Sequence, residues 1–125
     1  DVLIFEMYDS ENYEYTVDHN PIVTANSVQK PLTITLQTKT MTTPVKYVID
    51  SAIVRNTGRH HFSSCLTCNS QEKTYDGLSL SRLYDFEWKK LLNEDVDWSF
   101  KYSPDYEKLY WNFRKCYQLL FYYRV

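Results

Sequence analysis

The chain has 125 residues, and its 14 lysines and arginines against 16 aspartates and glutamates give a formal net charge of -2. That length suits a single domain over residues 1–125 with enough chain to bury a core, and the balanced charge excludes a strong field for holding nucleic acid by its phosphates. Aromatic residues make up 17% of the chain and only two glycines occur, which excludes a low-complexity or disordered sequence.

No apolar run approaches the length of a membrane span, and Asp1 opens directly on a strand-like stretch without a signal peptide. The expectation is a soluble fragment with no membrane partner, its upstream residues removed by design or by processing. Three cysteines make an odd count, which argues against a disulfide framework and for a reducing, intracellular compartment.

In chain order, Val2 to Met7 is a compact apolar run expected to form a buried strand. Residues 8–20 are rich in Tyr, Asp, Glu and Asn and read as an exposed connection or edge hairpin. Pro21 and Pro31 bracket a possible short strand over 22–29, and Leu32, Ile34 and Leu36 alternate with Thr33, Thr35 and Gln37 as in a half-buried strand. After a threonine-rich run ended by Pro44, residues 47–55 carry Val48, Ile49, Ile53 and Val54 and are expected to be a central strand that Gly58 ends.

Residues 58–77, GRHHFSSCLTCNSQEKTYDG, concentrate the chemistry: two adjacent histidines, two of the three cysteines, and both glycines. His61, Ser63, Cys65 and Thr67 alternate with Phe62, Ser64, Leu66 and Cys68, the period of a strand with two different faces. A polar turn over 69–73 and a return strand at Thr74 and Tyr75 would bring His61 close to Asp76. A carboxylate on one ring nitrogen fixes the imidazole tautomer and leaves the other nitrogen as a base, so His61 and Asp76 form two thirds of a catalytic triad on one reading. On the other reading they form only a surface hydrogen bond. Cys65 and Cys68, a C-x-x-C, could bind zinc with His60 or His61 only if the strand broke, because residues three apart in a strand point to opposite faces. No metal or other cofactor is therefore expected.

Beyond Gly77, Tyr84, Trp88, Leu91 and Leu92 fall at helical spacing, with Lys89 and Lys90 towards the end. Ser103 and Pro104 read as an N-cap and first helical residue, with Tyr106, Leu109, Tyr110 and Phe113 on one face of a second helix. Residues 116–125, CYQLLFYYRV, close the chain as an apolar strand. The expected class is α+β, a mainly antiparallel sheet with two short C-terminal helices.

The order of these stretches resembles the C-terminal half of the catalytic domain of the ubiquitin-specific proteases, the papain-like cysteine isopeptidases. The elements carrying the resemblance are VLIFEMY, KPLTITL, YVIDSAIV, GRHHF, TYDG and CYQLLFYYRV, in that order over nearly the whole chain. The resemblance implies the palm part of that fold, His61 as general base before the aromatic Phe62, and Asp76 as the residue orienting it. It further implies a ubiquitin or ubiquitin-like partner and an N-terminal half supplying the nucleophilic cysteine. The family's Asn-x-Gly-x-x-Cys element is missing here, Phe5, Glu6 and Met7 replace its Leu-Lys-Arg-Phe, and Gly77 stands where a second acidic residue is usual. In these respects the chain is more similar to divergent members of the clan, including SUMO-directed and transposon-encoded ones. The alternative is a non-catalytic interaction module of the same fold, docking a partner through Tyr8, Tyr13, Tyr15, Trp98 and Tyr102.

Overall fold

A computed structural model describes residues 1–7, 29–56, 60–77, 80, 82–100 and 109–125. Among them, seven strands join in one antiparallel sheet: β1 (Val2–Met7), β2 (Thr33–Leu36), β3 (Val45–Arg55), β4 (Phe62–Cys68), β5 (Gln71–Tyr75), β6 (Tyr84–Asp85) and β7 (Gln118–Arg124). The order is β1-β7-β3-β4-β5-β6, with β2 pairing the first half of β3 and β4 its second half. β3, the β-branched segment, is thus central, and its register against β7 shifts between Ile49 and Ser51.

One face of this sheet is a core face. Leu120, Ala52, Cys65 and Thr74 lie opposite one another across β7, β3, β4 and β5, and all four are buried. Their neighbours along each strand turn the other way, as the pleat requires: Phe121, Ile53, Ser64 and Tyr75 are half-buried or exposed. The segment after β6 covers the core face with Trp88, Leu92, Trp98, Phe100, Trp111 and Phe113. Trp88 donates its indole N–H to the Leu66 carbonyl (3.1 Å), and Glu72 accepts from the Lys89 amide (2.7 Å), which fastens the cover to the β4–β5 hairpin.

Several expectations are corrected. The α+β class with two C-terminal helices gives way to a nearly all-antiparallel sheet, with no α-helix among the described residues. Tyr84 pairs with Thr74 in β6, and Lys89–Leu91 form a single 3-10 turn without a side-chain cap. The apolar spacing there serves a different geometry: β5 offers a free strand edge, and pairing with it satisfies backbone groups that a short isolated helix leaves weakly stabilised. The second helix is absent over its described part. Tyr110 is exposed while Leu109 and Phe113 are buried, and Trp111 bridges antiparallel to Trp98 through two backbone hydrogen bonds of 2.8 and 2.9 Å. Ser103, Pro104 and Tyr106 lie outside the described residues.

Among the described residues β1 is an edge strand rather than a buried one, with Ile4 60% exposed, because only β7 pairs with it there. Trp98 is buried in the aromatic cover, stacked on Trp111 at 5.9 Å, and so does not belong to a docking surface. Tyr8, Tyr13, Tyr15, Tyr102, the stretch 22–28 and Gly58 are outside the described residues. Among the described residues no helix is long and apolar enough to cross a membrane.

Candidate functional site

The β4–β5 hairpin turns through Asn69 and Ser70 alone, both at positive φ (49° and 64°), so the polar turn is two residues long and Gln71 already belongs to β5. Two successive left-handed residues give the turn whose twist matches that of the paired strands. The turn also sets the register: Cys65 faces Thr74 and Ser64 faces Tyr75. One further step places Asp76 opposite Ser63, with His61 on the diagonal of the same face, within reach of a side-chain pair. That face is the core face, which is why the carboxylate is buried.

His61 and Asp76 are hydrogen bonded through Nε2 and Oδ1. The Asp76 side chain is fully buried and that of His61 is 23% exposed. With a carboxylate as acceptor, Nε2 carries the ring proton, and the neutral imidazole keeps its lone pair on Nδ1. Among the described residues Nδ1 makes no hydrogen bond. The pair therefore presents an oriented base whose carboxylate is shut away from water and whose ring reaches the surface.

Two elements hold this arrangement that the sequence did not single out. The Asn56 amide, directly after β3, donates to the His61 carbonyl (2.7 Å), and its side chain donates to the Tyr110 carbonyl (2.8 Å). Trp111, fully buried, packs its ring 5.8 Å from the imidazole at a tilt of 50°. The contacts of Asn56 with Tyr110 and of His61 with Trp111 join residues 50 and more positions apart, and no local spacing signals them. His60 is exposed and accepts a hydrogen bond at Nδ1 from the Arg55 guanidinium (3.2 Å).

No cysteine of the chain supplies a thiolate to His61. Cys65 lies on the core face, where burial pushes its thiol up to about 12 against a smaller opposing hydrogen bond from Thr74. Burial pushes Cys116 up to about 11. Both are protonated and inert at neutral pH. Cys68 is exposed but sits at the turn end of β4, about 20 Å along the strand from His61. β4 runs unbroken through Cys65 and Cys68, so their side chains leave opposite faces. Among the described residues no three potential metal ligands cluster.

The hairpin's turn end borders an open groove of about 590 Å³ lined by Ser70, Glu72, Asp85, Phe86, Glu87 and Lys90 among others. It lies at the far end of the strands from His61 and contains no part of the imidazole–carboxylate pair. The chemistry therefore places the candidate site at the open end of the hairpin. Compared with known proteins, the chain matches no family model, no curated protein and no solved structure.

Proposed function

We propose that this chain is the base-carrying part of a thiol isopeptidase that removes ubiquitin or a ubiquitin-like modifier from lysine side chains inside the cell. The observation that carries the reading is the hydrogen bond from His61 Nε2 to the fully buried Asp76. That bond fixes one ring nitrogen as donor and leaves Nδ1 as the proton acceptor for a nucleophile. A cysteine thiol from outside this chain attacks the isopeptide carbonyl, and His61 Nδ1 takes its proton. The tetrahedral intermediate collapses to a thioester as His61 returns that proton to the leaving lysine amine. Water, deprotonated by the same nitrogen, then attacks the thioester carbonyl; the C–S bond breaks, the modifier leaves as its carboxylate, and the cysteine takes back the proton from His61. Asp76 stabilises the imidazolium in each half-reaction and keeps the ring plane fixed.

The order of sequence elements supports this class of substrate, and the inert or distant cysteines agree with a nucleophile supplied elsewhere. A pure interaction module has no use for an oriented imidazole over a desolvated carboxylate, and the aromatic residue of its docking set that is described, Trp98, is buried.

The test uses a ubiquitin C-terminal amide reporter and an electrophilic ubiquitin probe. The isolated chain should give no turnover and no labelling. The parent chain read from the transcript upstream of Asp1, carrying an Asn or Gln shortly before a helix-opening cysteine, should give both. Turnover by the isolated chain that survives His61→Ala contradicts the proposal.

A further inference from the structure

We propose that Trp111 is a positioning residue for His61, with Asn56 as the clasp that holds it there. Without Trp111 the imidazole would keep its carboxylate partner but lose the wall that fixes its plane. Three observations meet at this point. The Trp111 ring is fully buried and lies 5.8 Å from the imidazole, while 23% of the His61 side chain is open to solvent, so the imidazole has an aromatic flank and a wet one. Trp111 is fixed from behind by its paired backbone bonds to Trp98 and by the stack of the two indoles. Asn56 ties both partners to one residue, its amide to the His61 carbonyl and its side chain to the Tyr110 carbonyl beside Trp111.

The physical consequence concerns water. A hydrogen bond between imidazole and carboxylate weakens when solvent competes for either end, and an aromatic wall over one side of the ring excludes that competition. The indole Nε1 of Trp111 is buried without a hydrogen-bond partner among the described residues. Phenylalanine would preserve the wall without that donor, whereas an aliphatic side chain would not preserve the flat flank.

The inference rests on the base role of His61 for its functional meaning, but its test does not depend on turnover. Side-chain ¹H–¹⁵N spectra of the histidine-labelled chain report which ring nitrogen of His61 is protonated and how fast that proton exchanges with water. The wild-type chain should show the Nε2–H tautomer with a slowly exchanging proton. Trp111→Leu should accelerate that exchange by about tenfold or more and mix the tautomers, and Trp111→Phe should restore the wild-type signature. Leu92→Ala, which opens the same core at another buried residue, controls for general loosening and should leave His61 unchanged. Should Trp111→Leu fail to fold, Asn56→Ala decides, with faster exchange expected in the same direction. A wild-type His61 signature in Trp111→Leu or Asn56→Ala overturns the proposal, as does an equal change in Leu92→Ala. Either result leaves the isopeptidase reading standing, because that reading falls on reporter hydrolysis and not on the ring-proton spectra.

Discussion

The two ends of the β4–β5 hairpin hold ionisable pairs in opposite surroundings. At the open end, Asp76 is fully buried and bonded to His61 beneath Trp111. Nearer the turn, Lys73 reaches Asp85 of the neighbouring strand, but that carboxylate is 83% exposed. Water screens the second pair and cannot screen the first, so similar contacts do different work. The exposed pair decorates an edge, while the buried one is a fixed group whose geometry the fold controls. Hairpin register decides which is which, since it sends Thr74 and Asp76 to the core face and Lys73 and Tyr75 away from it.

The largest effect should come from removing the buried carboxylate. Asp76→Ala leaves His61 without its acceptor and is expected to cost about 2–4 kcal/mol in urea unfolding. Asp76→Asn, which keeps an acceptor oxygen, should cost less. A change below 0.5 kcal/mol for the alanine variant would erase the difference between the two ends.

Lys30 extends the comparison to a buried cation. Its ammonium bonds to the Phe113 carbonyl and to Gln118 Oε1, and burial, helped by the nearby Arg114 charge, lowers its pKa from 10.5 to about 8. Between those two values the unfolded chain binds more protons than the folded one, so stability rises with pH across that window. Below about 8 both states are protonated and the full penalty of the buried charge applies. The wild type should gain about 1 kcal/mol relative to Lys30→Met between about pH 7 and pH 9. The Cys65 thiol, raised in the folded state, is common to both variants and cancels in the difference. Parallel pH profiles would show that Lys30 keeps its ordinary affinity for protons.

At the turn, Ser70 holds a left-handed backbone that glycine adopts without strain. Ser70→Gly should therefore raise stability by about 0.5–1 kcal/mol in thermal or urea unfolding. Destabilisation would mean that Ser70 contributes a contact that outweighs its backbone strain. The smallest effect is expected from Lys73 and Asp85: a double-mutant cycle should return a coupling of about 0.2–0.5 kcal/mol that fades in high salt.

The sequence carried the hairpin and its pairing of His61 with Asp76 because both follow from local alternation across a short polar turn. It carried β3 and β7 for the same reason, since their β-branched and aromatic runs suit only extended backbone at that length. It misjudged residues 84–92 and 109–113 because apolar residues at helical spacing also suit an irregular cover, whose aromatic side chains pack into the core. Trp98 and Trp111 are joined across a bridge that no helical period describes. β1 looked buried because composition reports apolarity and not position in the sheet, and an edge strand exposes the same residues that a central one hides. Asn56 and Trp111 were illegible for another reason: their importance arises only when chain segments far apart meet at the imidazole.

The central claim is that His61, and not its neighbour His60, is the base of a thiol isopeptidase. The most direct measurement compares ubiquitin-reporter hydrolysis by the parent chain carrying His61→Ala with the same chain carrying His60→Ala. The account predicts that His61→Ala lowers kcat/KM by about a hundredfold or more, while His60→Ala, which removes an exposed ring bonded to Arg55, leaves it within a few fold. Full activity in His61→Ala, or loss confined to His60→Ala, would contradict it.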